Sequence, residues 1–441
     1  MRFLFCRLGV LTMGLLWLGW AGVAPAGIYY DPASDAIRVT CFPECAPCTP
    51  GHLYKLDRLF DWGKVTYDPA TDVYGVNCHL QIGSHDGSTT YFQIGSVDHP
   101  HETLVMCGNL SVRPCWIQGV SPATTWNFIK AGVNALMMGS RDDDSIKPVL
   151  TFKSGNSLSV GNPIQFIGKV QRGGELLIYN SKITAPDGEF WASEYVIIYP
   201  NSSAIIENSE LSRFKGYVYG VGGQFKALKN TTFSNGGAVI VGKYRGKNRI
   251  ENCTFENMET AILDFGGLDA TFVNCVFKNN DRNWSLRFAC GITCIDCNCA
   301  PPKKGDLYSI IQRDTKTGAI IRPAFTSKRH IIVKVVNADG GPVTNAEVTV
   351  EAEQDGSGLV KPLVLRTDET GRTPGRGVKN AILLTEVIKE ASETVNKPKV
   401  SRYTYIVRVR AKNMREAVMP GVIPDESWKI LNVTLKDRGP T

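Results

Sequence analysis

What this 441-residue sequence lacks narrows its function before any motif is read. Beyond Val23 no apolar stretch reaches the ~20 residues that a bilayer crossing needs. Lysine and arginine outnumber aspartate and glutamate, 49 to 42, yet they stay dispersed along the chain. Without a basic run of about five or six, nucleic acid is not the expected partner. A mildly cationic surface suits acidic polysaccharide or a cell-envelope polymer instead. Continuous apolar stripes of helical period are missing too, which excludes a helical solenoid and leaves short β-branched and aromatic runs as the building units.

The start of the chain reads as an export signal. Met1, Arg2 and Arg7 surround a short apolar start, Leu8 to Val23 is uncharged and apolar, and Ala24-Pro25-Ala26 follows. These are the basic, apolar and small-x-small parts of a secretory signal peptide, with cleavage expected after Ala26. The mature protein is then expected to be secreted, periplasmic or at the cell surface. Thirteen cysteines are present, and loss of Cys6 with the signal leaves an even twelve. In an oxidising compartment that count points to disulfides. The candidates are Cys41, Cys45, Cys48, Cys78, Cys107, Cys115, Cys290, Cys294, Cys297 and Cys299. Cys41, Cys45 and Cys48 with His52, and Cys290 to Cys299, also have the spacing of zinc ligands, the alternative reading. Cys45-Ala-Pro-Cys48 lies among prolines rather than at a helix start, which disfavours redox work.

A repeat dominates the middle of the chain. Asn180, Asn208, Asn230, Asn252 and Asn274 recur in like contexts, the last four at intervals of 22 residues. Two apolar columns keep step: Ile178, Ile206, Leu228, Ile250 and Phe272, then Ile183, Leu211, Phe233, Phe255 and Phe277. Fixed-period self-similarity marks a solenoid. Three short strands and three turns fill such a unit, and stacked units set like side chains in ladders about 4.8 Å apart. The asparagines are expected to cap turns as a structural ladder, and Cys253 and Cys275 to form a small buried thiol column.

The signature I-x-N-[CST]-x-[FIL], carried by these segments, resembles the parallel β-helix repeat superfamily, the pectate-lyase-like fold. The resemblance implies a right-handed parallel β-helix over residues 121–299, with the clearest coils from Pro163 to Asn280. It implies little about activity, since the fold hosts many chemistries. The elements of catalytic β-helices do not transfer. Arg249-Ile-Glu only imitates a hydrolase motif, and Asp142-Asp-Asp144 reads as a solvated loop. Arg113-Pro lacks the rest of a lyase element, and Asp98-His-Pro-His-Glu102 has epimerase-like letters in the wrong order.

Around this centre the sequence is all-β. Residues 27–120 read as a disulfide-braced β cap, with His52 to Phe60 as its one helical stretch. Residues 300–327 form a linker opened by Ala300-Pro-Pro-Lys-Lys-Gly305. Residues 328–441 carry a D-x-G-x-P-V-x-x-A-x-V-x-V … T-D-x-x-G pattern from Asp339 to Gly371. That pattern resembles carboxypeptidase-regulatory-like or transthyretin-like β-sandwich modules, which implies an appendage without peptidase activity. The interval from Asn180 to Asn208 is 28 residues, six more than the repeat. Aligning Val196 with Val218, Ile240 and Ile262 places the excess between Thr184 and Tyr195. Insertions of this kind often make a solenoid's binding face. Asp187, Glu189, Trp191 and Glu194 in that loop, with Lys243 and Arg245, are the ligand-binding candidates, Trp191 as a stacking platform for a sugar. The function expected is that of a non-catalytic polysaccharide- or surface-binding or structural protein, without cofactor, with a part of an envelope, filament or phage-like assembly as a further class. The alternative is a divergent lyase or hydrolase acting on an acidic glycan, with calcium if a lyase.

Overall fold

The computed structural model describes residues 27–40, 52–59, 63–83, 90–112, 134–153, 156–160, 174–184, 196–198, 202–213, 217–220, 224–240, 248–264, 269–286, 291–302, 306, 312–313, 320–321, 324–375, 378–390 and 399–438. Three long, mainly parallel sheets wrap one interior, and each turn of the chain adds a strand to each. One sheet contains ten strands, another thirteen and the third nine among the described residues. Parallel pairing between successive coils is what a solenoid requires. Each backbone group finds its partner one coil away, and both neighbours of a coil protect it from water.

The interior is filled by files of side chains in register. One file is Ile94, Met138, Ile178, Ile206, Leu228, Ile250, Phe272 and Cys294. A second is Tyr74, Leu104, Leu150, Ile183, Leu211, Phe233, Phe255 and Phe277. Phe255 lies 5.3 Å from Phe233 and 5.0 Å from Phe277, centroid to centroid, in stacked geometry. Ring-on-ring stacking follows because the coil rise brings register-matched rings into contact. A third file includes Leu80, Leu110, Leu158, Val196, Ile262 and Trp284. Here a register shift pairs Ile262 with Val239 rather than with Ile240.

The strands before residue 120 belong to the same three sheets instead of forming a separate layer over them. Val73–Val76 pairs with Thr103–Met106, and His79–Ile82 with Leu110–Val112, all parallel. The interior is continuous from Ile37 to Phe325. Only the antiparallel hairpins Gly27–Asp31 with Ala36–Thr40, and Val65–Asp68 with Val73–Val76, behave as an end cover. The expected helix at His52 is a strand, His52–Lys55, ending in the short 3-10 turn Leu56–Arg58. Pairing of that segment with Thr90–Ile94 overrides its helical spacing.

At the other end, the 13-residue strand Ala324–Val336 is shared by two structures. Its first half runs parallel to the coil strand Gly291–Ile295. Its second half, Ile331–Val336, pairs parallel with Lys429–Thr434, while Ile382–Glu390 runs antiparallel along Ala324–Ile331. A four-stranded sheet faces that half over a second core containing Val333, Val348, Tyr405, Val407 and Leu431. The Tyr405 hydroxyl joins the two sheets by donating to the Thr385 carbonyl at 2.9 Å and accepting from the Thr385 N–H at 3.0 Å. Arg329 ties the junction, donating to the Cys297 carbonyl, to Ser427 Oγ at 3.0 Å and to Glu386 Oε2 at 3.2 Å.

Candidate functional site

The asparagine column is a continuous amide ladder. Asn230 Nδ2 donates to Asn208 Oδ1 at 2.8 Å, Asn252 to Asn230 at 2.9 Å and Asn274 to Asn252 at 3.2 Å. Each asparagine has φ near +50°, the left-handed conformation that asparagine tolerates better than other non-glycine residues. Asp296 takes the next position at φ 54°. A carboxylate has no N–H to continue the ladder. It accepts instead from the backbone N–H of His330 at 2.9 Å and contacts the His330 ring.

The residue after each asparagine is a small buried donor. Ser209 Oγ donates to the Glu207 carbonyl at 2.8 Å, Thr231 Oγ1 to Lys229 at 2.8 Å and Cys253 Sγ to Glu251 at 3.4 Å. Cys275 and Cys297 repeat the contact with Val273 and Ile295, both at 3.5 Å. This explains the Ser/Thr/Cys preference, since the site needs a small side chain that caps the carbonyl two residues back.

Beside the ladder runs an open groove of about 580 Å³. Val149, Lys182, Glu210 and Thr232, register neighbours on four successive strands, line its floor together with Lys147. Asn180, Asn208, Asn230, Ser181 and Ser209 line it along the ladder. Lys182 Nζ lies 3.0 Å from Glu210 Oε1. Three steps of roughly 4.8 Å between these four strands give the groove a length of about 15 Å along the axis. Amides, hydroxyls, ammonium groups and a carboxylate facing one channel make a hydrogen-bonding surface for a polyhydroxylated chain.

Asp187, Glu189, Trp191, Glu194, Lys243 and Arg245 lie outside the described residues. The extra residues do fall where the spacing puts them. Thr184 pairs with Ser212, 28 positions on, whereas Val196 pairs with Val218, 22 positions on. Cys41, Cys45, Cys48, Cys115 and Cys290 are likewise outside. Cys78, Cys107, Cys294, Cys297 and Cys299, counted above as disulfide candidates, are free thiols, as are Cys253 and Cys275. Cys294, Cys297 and Cys299 are buried, and two of them continue columns: Phe272 to Cys294 and Cys275 to Cys297. Burial pushes the Cys294 thiol up, keeping it in the neutral form that packs as a small apolar group.

A second polar cluster was not assembled by sequence reading. Asp72, His99 and Glu102 bring ligand atoms within 4.8 Å of one another, the one such group of His, Cys, Asp or Glu among the described residues. His99 Nδ1 lies 3.1 and 3.2 Å from the two Asp72 oxygens. Glu102 is only 3% exposed, and its Oε2 accepts the Gly95 N–H at 2.7 Å. Gly95 adopts φ +81°, and a Cβ there would come within 2.7 Å of Pro148, so glycine alone suits the turn that aims this N–H. Burial pushes the Glu102 carboxyl up to about 7, with the Gly95 bond opposing the rise. The Asp98 to Glu102 segment was legible as acidic and imidazole side chains, but Asp72 reaches it only through coil stacking.

A family model described as the right handed beta helix region matches residues 169–303. No curated protein and no solved structure was found to match the chain. The parallel register described above and this match agree on a right-handed parallel β-helix core.

Proposed function

We propose that this protein is an exported, non-catalytic β-helix that binds polysaccharide or another envelope polymer through its axial groove. The observation that carries the reading is the channel beside the amide ladder, where Lys147 and Lys182 stand among amide and hydroxyl groups. Such a surface recognises sugars by many small hydrogen bonds, and its cations favour an acidic chain. The coils have about 22 residues in the regular half, and the strands after residue 324 are a carboxypeptidase-regulatory-like or transthyretin-like appendage. Asp187, Glu189, Trp191 and Glu194, with Lys243 and Arg245, are further candidates for contact with the sugar chain. Export rests on residues 1–26, and disulfides among Cys41, Cys45, Cys48 and Cys115 brace the first coils.

The test is a panel of acidic and neutral polysaccharides, with retention of the protein and release of unsaturated or reducing ends recorded together. Retention of an acidic polymer without release is the expected result. Release of products would replace the reading with a divergent lyase or glycoside hydrolase, and failure to retain any polymer would remove it.

A further inference from the structure

We infer that Asp72, His99 and Glu102 form a binding site for one divalent transition-metal cation, separate from the cysteines and from the groove. The donors arrive from three places that the coil stack holds fixed. Asp72 immediately precedes the strand Val73–Val76, and Glu102 immediately precedes Thr103–Met106. Val73 and Thr103 are direct partners, so the two carboxylates sit one coil step apart on the same edge. The Thr103 N–H donates to the Asp72 carbonyl at 3.0 Å and locks that step. His99 closes a tight turn in which its N–H and carbonyl both bond Ser96, each at 3.1 Å. None of the three donors rides on a free loop end.

Distance and chemistry then select the ligand. Two atoms each about 2.1 Å from a common ion lie roughly 3–4 Å apart, and His99 Nδ1 already stands 3.1 Å from Asp72 Oδ1. Glu102, buried, has the Gly95 N–H as partner to one oxygen, so its charge meets a dipole rather than a cation. A buried carboxylate is strongly disfavoured as an ion unless paired or bound to a metal. One imidazole with two carboxylates suits manganese, iron or zinc better than magnesium or calcium, which take oxygen alone. Asp72 and His99 are only partly buried, at 25% and 34% side-chain exposure, which leaves one side open for water to complete the shell. The Tyr67 hydroxyl donates to Asp72 Oδ1 at 3.3 Å, an outer contact that orients the ligand carboxylate.

Manganese(II) is the probe, because thiols such as those of this chain are poor ligands for it. Full-length protein is titrated with the ion while the spin-resonance signal of free manganese is followed. One equivalent bound by the wild type is expected, with affinity lowered about tenfold or more in Asp72→Asn, His99→Ala and Glu102→Gln. Asp425→Asn, an exposed acid beside Lys429 in the C-terminal strands, keeps wild-type binding. Should Glu102→Gln fail the circular-dichroism check of folding, the half-exposed His99→Ala carries the comparison. No manganese bound by the wild type, or equal binding in His99→Ala, would overturn the site. Neither result bears on polysaccharide retention, which uses different residues.

Discussion

At the scale of single residues, the ladder shows why asparagine recurs. Asn252 at φ 53° donates to Asn230 and accepts from Asn274. Asn252→Ala loses both bonds and must hold a left-handed backbone, for a cost of about 2–4 kcal/mol. Asn252→Gly keeps the backbone freedom and loses only the amide, so it is expected to cost roughly half as much by urea denaturation; equal costs would contradict the backbone argument. Glu102 sets a pH dependence in chelated, metal-free protein. Below about pH 4.5 it is protonated folded or unfolded; between there and about 7 the unfolded chain ionises it while the folded chain keeps the proton. Stability is therefore lost as pH rises through that window and is flat above it. Glu102→Gln lacks this loss, so its stability relative to wild type is expected to rise by on the order of 2 kcal/mol from pH 4 to pH 8, discounted for partial hydration. A pH-independent difference would refute the buried-carboxylate account. The asparagines were legible because one side chain answers one backbone demand at each coil. Asp296 was not, since it fills the same left-handed position with a different hydrogen-bond role. The Cys294, Cys297 and Cys299 cluster looked like metal or disulfide spacing because the repeat itself has it: Phe272, Cys275 and Phe277 are spaced identically.

At the scale of strands, the interior files carry the energy. Phe255 is wholly buried between two stacked phenylalanines. Phe255→Ala is expected to destabilise the helix by about 3–5 kcal/mol, since the fixed coil spacing limits collapse of the cavity. Phe255→Leu, measured by the same melt, should lose much less; comparable losses would mean that the file is not close-packed. The coils from Asn208 onward were readable because their period is constant. The earlier coils were not, because the steps vary: Val73 to Thr103 is 30 residues, Thr103 to Val149 is 46, and Val149 to Lys182 is 33. Strand register survives these unequal steps, but a fixed-period search does not. That is how several N-terminal coils read as a cap.

Across the whole molecule, a single pairing scheme extends from the first coils into the strand Ala324–Val336 and so into the second core. Phe325, fully buried, packs edge-on against Trp284 at 5.3 Å and closes the solenoid interior. Residues 300–327 read as a linker because of the breaker Ala300-Pro-Pro-Lys-Lys-Gly305, yet Ala324–Ser327 already belong to the shared strand. The lateral faces are left to meet a partner, and on one of them the groove beside the amide ladder gathers amides, hydroxyls, two lysines and a carboxylate. The direct measurement is surface-plasmon titration of a uronic-acid polymer against wild type and the Lys147→Ala/Lys182→Ala double variant. Saturable binding by wild type, weakened about tenfold or more in the variant (1.4 kcal/mol or above) with an unchanged melting temperature, is the expected result. Equal affinity in the two proteins, or no binding by wild type, would contradict a groove-based role.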